Sequence, residues 1–378
     1  MKPRTIGTTR RRLLSAGLLA CLLAGGCAKK DSGKEVQIGA IFPLSGEAQR
    51  IGNMKKDGAD LAVQMINAGG GINGSMLAIV YEDSRNQPAE GVASFNRLTR
   101  LKGVEVVMSA MSGVSMALVP LAEKQGKILF ANVGHPQITG SSKWVFRHFP
   151  TADQEAERMV TFAVDERGLA RAGILYPNDD WGSSGRDAFK KALLRRGGQI
   201  AAEESYEKSD SDFRTQLVKI ANANPDILYF TGIGNALAII ARQSTELGLK
   251  CFTATTTGFN DKAIIDLAGS AAENVHLTTS AFDPQSSEAE IEEFVAAFQV
   301  RFGRLPAFDE ALQFDSVQLI AAAIRTAGNR AADIRTELAQ MNDFHGVCGK
   351  TSVDEDGNFR TPIQIRVVRS GRAILLAE

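Results

Sequence analysis

Reactive side chains are scattered along this sequence rather than gathered. The four histidines, His135, His148, His276 and His345, stand alone, with no i, i+4 pair and no His-Glu-x-x-His run. The spacing that would aim two imidazoles at one metal is therefore missing. No Gly-x-Ser-x-Gly elbow precedes a helical segment. The one glycine run, Gly69-Gly70-Gly71, follows a helical pattern, whereas a phosphate cradle follows a strand and opens a helix. It reads as a helix stop. No metal, no cofactor and no catalytic constellation is expected, and the chain is not read as an enzyme. Met111-Ser112-Gly113-Val114-Ser115 opens a helix. A serine beside the free amides of a helix start can hold an anion, or simply cap the helix.

The elements that must position such groups follow a repeated plan. Val36 to Phe42 is an apolar, β-branched run of strand length, stopped by Pro43-Leu44-Ser45-Gly46. A helical stripe of Ile51, Met54, Leu61, Ala62, Met65 and Ile66 follows, with Lys55, Lys56, Asp57 and Asp60 expected to face away. The glycine stop and a second strand, Leu77 to Asp83, complete a right-handed parallel unit. Strands at 104–108 and 127–132, an extended 144–148, and helices at 88–101, 112–125 and 152–167 extend it. A second set of alternating strands and helices runs from Ala172 to Thr278, including a loop leading from Trp181 into a helix. The tail is mostly helical (287–302, 310–327, 331–341) and ends in short strands around Thr351, 363–368 and 373–376. The fold class expected is α/β, with doubly wound parallel sheets in two lobes.

Composition agrees. The 378 residues are 44% hydrophobic and 23% charged, ordinary for a globular chain with room for two lobes. Five of the 43 basic residues and none of the 43 acidic ones lie in the first 27 positions, so the remainder carries five acids in excess. No basic patch with interleaved aromatics is present, and nucleic acid is not an expected partner.

Residues 1–27 read as an export signal: Arg10-Arg11-Arg12 precedes an apolar run from Leu13 to Leu23, too short to span a bilayer. Thr9-Arg10-Arg11-Arg12-Leu13-Leu14 resembles a twin-arginine motif, and the arginine-rich n-region of an ordinary secretory signal is the plainer and preferred reading. Leu23-Ala24-Gly25-Gly26-Cys27 resembles the lipobox of a bacterial lipoprotein. Leu18-Leu19-Ala20-Cys21 is a poorer match, and a plain cleaved signal is the alternative. The lipobox reading makes Cys27 the acylated N-terminus, residues 28–34 a tether, and the protein an exported lipoprotein anchored to a bacterial membrane. Cys251 and Cys348 remain, and are expected as separate buried thiols, although an oxidising compartment would permit pairing.

The strings Gly39-Ala-Ile-Phe-Pro-Leu-Ser-Gly46, Asn67-Ala-Gly-Gly-Gly-Ile-Asn-Gly74 and Glu82-Asp83-Ser84 resemble those of periplasmic binding proteins of the Leu/Ile/Val type. Tyr176-Pro-Asn-Asp-Asp-Trp-Gly182, Pro225-Asp226, Phe344-His-Gly-Val and Asp354-Glu-Asp-Gly357 continue the match in order from about residue 35 to the C-terminus. The resemblance implies two lobes, 35–149 plus 280–360 and 150–279 plus 361–378, joined by a three-strand hinge and closing on a small ligand. It implies a monomeric solute-binding subunit that docks on the permease of an ATP-driven importer. A ligand-sensing module coupled to a partner receptor is an alternative, and a periplasmic α/β enzyme a more distant one.

By position in that family, Ser112, Gly113, Val114 and Ser115 would meet a ligand carboxylate, and Val133, Gly134 and His135 would lend backbone groups. Gly134 stands where a hydroxyl residue is usual. Trp181 would stack on the ligand from lobe two; a large aromatic after Asn178-Asp179-Asp180 suits that role. Two family tyrosines become Ile51 and Ile233, and a late aromatic is kept as Phe314. The acids that hold an α-ammonium align with Ala152, beside Asp153, and with Thr257. An unpaired buried ammonium is costly, so the ligand expected is a small carboxylate with an apolar or aromatic body and without an amine. A hydrophobic amino acid (Leu, Ile, Val or Phe) is the alternative. His135 and Arg50 are further candidates for ligand contact, with plain surface exposure the competing reading for Arg50.

Overall fold

The computed structural model describes residues 35–376. The signal, Cys27 and the tether expected over residues 1–34 lie outside them. The first five strands are β1 (Val36–Phe42), β2 (Leu77–Asp83), β3 (Val106–Ala110), β4 (Ile128–Asn132) and β5 (Val145–His148). They alternate with α1 (Gln49–Ala68), α2 (Pro88–Asn96) and α3 (Ser112–Gln125). The next set comprises α4 (Ala152–Val160), β6 (Arg171–Pro177), α5 (Asp180–Arg195), β7 (Gln199–Tyr206), α6 (Arg214–Asn222) and β8 (Ile227–Phe230). It continues with α7 (Asn235–Glu246), β9 (Phe252–Thr255), α8 (Lys262–Ala268) and β10 (His276–Ser280). The tail contains α9 (Ala289–Phe302), α10 (Phe308–Ala327), α11 (Ala331–Leu338), β11 (Phe344–Gly346), β12 (Gly349–Val353), β13 (Asn358–Arg360), β14 (Ile363–Arg369) and β15 (Arg372–Leu375).

These strands build two sheets, ordered β11-β12-β13-β5-β4-β3-β1-β2 and β15-β14-β10-β9-β8-β6-β7. In both, the first five strands in chain order are parallel and share the spatial order second, first, third, fourth, fifth. The all-parallel expectation fails at the edges, where β12, β11, β14 and β15 pair antiparallel. Hairpins at the end of the chain need no crossover helix, so antiparallel edges follow directly. The chain passes between the sheets three times: after β5, after β10, and between β13 and β14.

Each sheet is buried on both faces, which is why its strands read as unbroken apolar runs. Ile38, Ala40 and Phe42 of β1 pack under α1, α9, α10 and α11, while Ile41 points to the α2–α3 side. Leu228 and Phe230 of β8 meet α6 to α8, while Ile227 and Tyr229 face α4 and α5. Tyr229 stacks on Phe189 with centroids 3.9 Å apart.

Helix α1 is rotated relative to the apolar stripe read from sequence. Its buried row is Gly52, Lys55, Gly58, Ala59, Leu61, Ala62 and Ile66. A Cβ at Gly58 would lie 2.1 Å from the Glu310 carbonyl oxygen, so the backbones of α1 and α10 touch there. Glycines at 52 and 58 carry that face inward, and Lys55, one turn from each, goes with them. It is only 3% exposed, paired with Asp309 at 2.8 Å.

The hairpin of β11 and β12 is fastened by a buried acid. The Asp315 carboxylate accepts the amides of Val347 (2.9 Å) and Cys348 (2.8 Å), and burial pushes its pKa up to about 7. Cys348 is buried, Cys251 half-buried, and both are free thiols. No described helix is long and apolar enough to cross a membrane.

Candidate functional site

In doubly wound sheets, ligands bind outside the carboxyl ends of the strands, where the order reverses. Here that places the exits of β1, β3 and β4 opposite those of β6, β8 and β9. The two walls meet at Gly134. A Cβ there would lie 3.2 Å from Nε1 of Trp181 and 3.6 Å from the ring of Phe149. The space freed by glycine at 134 is thus taken by the indole of the other lobe. Trp181 is in the first turn of α5 rather than in the expected loop, because Asp179 caps the helix by accepting the Gly182 amide at 2.7 Å. A second bridge joins the lobes: Arg50 of α1 donates to Asp261, before α8, at 2.7 Å. Arg50 is 68% exposed, so it lies at the surface as the competing reading had it, with its guanidinium engaged in this bridge.

The anion end follows from the β3–α3 junction. Met111 takes a left-handed φ of 69° as the residue before α3, so Ser112 is the first helical residue and not the expected cap. The amides of Ser112, Gly113 and Val114 find no acceptor among the described residues. They form a ready anion cradle beside the half-buried Ser112. Ser115 is corrected: it is fully buried, its hydroxyl pairs with Ser109 at 2.8 Å and its amide is given to the Met111 carbonyl. The Val114 side chain lies in the core, leaving its amide to offer. Val133 is buried too, leaving only its backbone to offer. The His135 Nδ1 accepts the Gln137 amide of its own turn at 3.2 Å, and its carbonyl accepts Arg147 of β5 at 2.8 Å.

The opposite end differs more from expectation. Asp153 is 62% exposed and pairs with Arg360 at 3.0 Å. Burial alone would raise its pKa, but hydrogen bonds from Thr151 and Arg360 keep it below the usual carboxylate range. Thr257 is half-buried, and its amide is given to Glu155 at 2.9 Å. The same Glu155 oxygen accepts the Thr278 hydroxyl at 2.8 Å. Burial pushes Glu155 up to about 7 against the pull of these two bonds. The hydroxyls of Thr231 and Thr256, just past β8 and β9, are buried without a partner among the described residues.

Ile233 is 71% exposed between Gly232 and Gly234, and Ile51 is half-buried at the start of α1. Phe314 is corrected: it is 5% exposed and packs on Phe294 with centroids 4.7 Å apart, inside the first lobe's core. Six residues before it, Phe308, the first residue of α10, is half-buried and edge-on to Phe149 at 5.8 Å. Glu155 was missed because a glutamate in a helix's first turn ordinarily serves the helix dipole. No cluster of three potential metal ligands exists among the described residues.

Residues 35–373 match the family model described as periplasmic binding protein. The chain is 27% identical to the Leu/Ile/Val-binding protein homolog 1 of Brucella abortus over 359 residues, 93% of this chain and 94% of that one. Among solved structures it is similar to the branched-chain amino acid transporter substrate binding protein LivJ of Streptococcus pneumoniae in complex with isoleucine. The TM-score is 0.78 at 26% identity, covering 90% of this chain and 98% of that one. A solute binding protein of an ABC transporter from R. palustris in complex with benzoate shares the fold, with a TM-score of 0.75 at 21% identity, over 90% of this chain and 95% of that one.

Proposed function

Because the chain belongs to the periplasmic binding protein family, we propose that it is the extracytoplasmic solute-binding subunit of an ATP-driven importer of the branched-chain amino acid class. The two sheets act as lobes, 35–149 with 280–360 and 150–279 with 361–378, that hinge on the three crossings. They close on one small carboxylate-bearing ligand with an apolar or aromatic body. The protein itself does no chemistry and passes its ligand, as a monomer, to a membrane permease. Cys27 carries the lipid that keeps it at the membrane after export.

The observation that carries this reading is the approach of Trp181 to Gly134 from opposite lobes, with Arg50 and Asp261 paired as a second bridge between them. The ligand carboxylate lies on the amides of Ser112 to Val114, and Trp181 covers its apolar body. The pairing of Asp153 with Arg360 favours a ligand without an amine. A hydrophobic amino acid is the second reading, favoured by the isoleucine in the Streptococcus pneumoniae relative. It would need Glu155 as the partner of the ammonium.

A thermal-shift screen of residues 28–378 separates the two. Leucine, isoleucine, valine and phenylalanine are compared with their 2-oxo acids and with benzoate. A ligand at a hundred times its dissociation constant stabilises by about 2.7 kcal/mol. Shifts with amine-free acids alone support the first reading, and shifts with amino acids alone support the second. No shift with any carboxylate refutes both.

A further inference from the structure

The parallel strands of the first lobe all start at one edge of their sheet. β1 and β2 begin opposite each other at Val36 and Leu77, β3 and β4 at Val106 and Ile128, and Val145 of β5 lies opposite Leu129. Backbone bonds join the segments leading in: Val36 donates to Met76 at 2.9 Å, Ile128 to Glu105 at 3.0 Å and Leu129 to Trp144 at 2.9 Å. The end of α10 is tied to the same edge. Asn73 donates to the Arg325 carbonyl at 2.9 Å, and the Ala331 amide donates to Glu105 at 3.0 Å.

This base is basic. Arg100, Lys102, Lys124, Lys143 and Arg325 are exposed and Arg335 half-buried, and none pairs with an acid among the described residues. Of the acids there, Glu105 pairs with Lys127 and Asp333 with Arg330, while Glu35, Glu123 and Glu337 pair with no cation among the described residues. The unpaired cations outnumber the unpaired acids on a chain that carries an excess of acids beyond residue 27. Arg100, Lys124, Arg325 and Arg335 lie in last helical turns, where a cation offsets the helix dipole whatever else it does. Lys143 closes no helix, and a dipole gives no reason for Leu101, 77% exposed, and Met76, 51% exposed, to stand among the charges. Apolar side chains among cations suit the headgroup region of an anionic bilayer.

We propose that this base is a docking surface for an anionic phospholipid bilayer. The inference rests on the lipid-anchor reading of Cys27 above, because the anchor brings the base to the membrane. Residues 28–34, with Lys29, Lys30 and Lys34 against Asp31, lead from the acylated cysteine to β1 at the base. Seven residues reach at most about 25 Å, so the base stays close enough to meet headgroup charge at short range. The strands run away from the base, so docking by it turns their exits, and the crevice there, away from the lipid.

The test is co-sedimentation of residues 28–378 with phosphatidylcholine vesicles, with and without about a third phosphatidylglycerol. Binding is expected only with phosphatidylglycerol and is lost in high salt. Replacing Arg100, Lys102, Lys124 and Lys143 by glutamine should lower it about a hundredfold, since each cation near such a surface contributes about fivefold. Leu101→Ser should weaken it further. A control replaces Arg167, Lys250, Arg369 and Arg372 of the second lobe by glutamine, the same change in net charge, and should keep most of the binding. Urea midpoints check that both variants fold, as every replaced side chain is exposed. Equal binding to both vesicles, a base variant that binds like the wild type, or a control that loses as much overturns the docking surface. Detergent-phase partition of the full chain against Cys27→Ser reads the anchor separately. Failure there with vesicle binding intact removes the anchor and leaves the docking surface standing.

Discussion

Replacing Glu155 by glutamine should change how stability depends on pH while leaving the fold intact. The carboxyl is fully buried, and its pKa is raised from 4.5 to about 7 in the folded protein. A raised acid favours folding in its protonated form, so its contribution is fully present below pH 4.5 and is lost as pH rises through 7. At about 1.4 kcal/mol per pH unit, the wild type loses roughly 3 kcal/mol across that window. Glutamine does not titrate, and its carbonyl can still accept from the Thr257 amide and the Thr278 hydroxyl. Urea unfolding of both proteins at pH 5, 6, 7 and 8 gives the difference directly. Asp315 titrates over the same range in both and cancels. The variant should gain on the wild type steadily from pH 5 to 8, by up to about 3 kcal/mol. Two parallel stability curves would show that Glu155 is not desolvated as described, and the reasoning would fail.

Gly134→Ser should put a Cβ 3.2 Å from the Trp181 indole nitrogen. The crowded lobes close less fully, so carboxylate affinity falls by about tenfold or more, read by titration, while the urea midpoint stays near wild type. Arg50→Ala removes an exposed bridge between the lobes worth about 0.2–1 kcal/mol. The closed population should drop by up to about fivefold, seen as a larger radius of gyration by small-angle X-ray scattering in low salt. Gly58→Ala drives a methyl to 2.1 Å from the Glu310 carbonyl oxygen. Forcing α1 off α10 should cost about 1–3 kcal/mol in urea unfolding, and an unchanged midpoint would contradict the close helix contact.

Much of the architecture is legible in the sequence because parallel strands buried on both faces must be apolar throughout. Val36 to Phe42, Val106 to Ala110 and Ile227 to Phe230 announce themselves, and helices of 3.6-residue period fill the gaps. The glycine run 69–71 ends α1 as expected, with Gly70 and Gly71 at φ of 97° and 77°. The positions of Trp181 and Ser112 just past strand ends are legible too, since local pattern locates the ends of β6 and β3. Only tertiary structure decided which way side chains turn at those exits. Ser115 bonds to Ser109 rather than facing the crevice, and Phe314 enters the core while Phe308 is half-buried against Phe149. Lys55 is the sharpest case. Its charge marks it for solvent in any one-dimensional reading, yet the contact of α1 with α10 through Gly58 turns it inward. Local periodicity depends on a residue and its neighbours three and four positions away. Helix rotation depends on a partner some 250 residues further along, and that partner is what sets the Lys55–Asp309 pair.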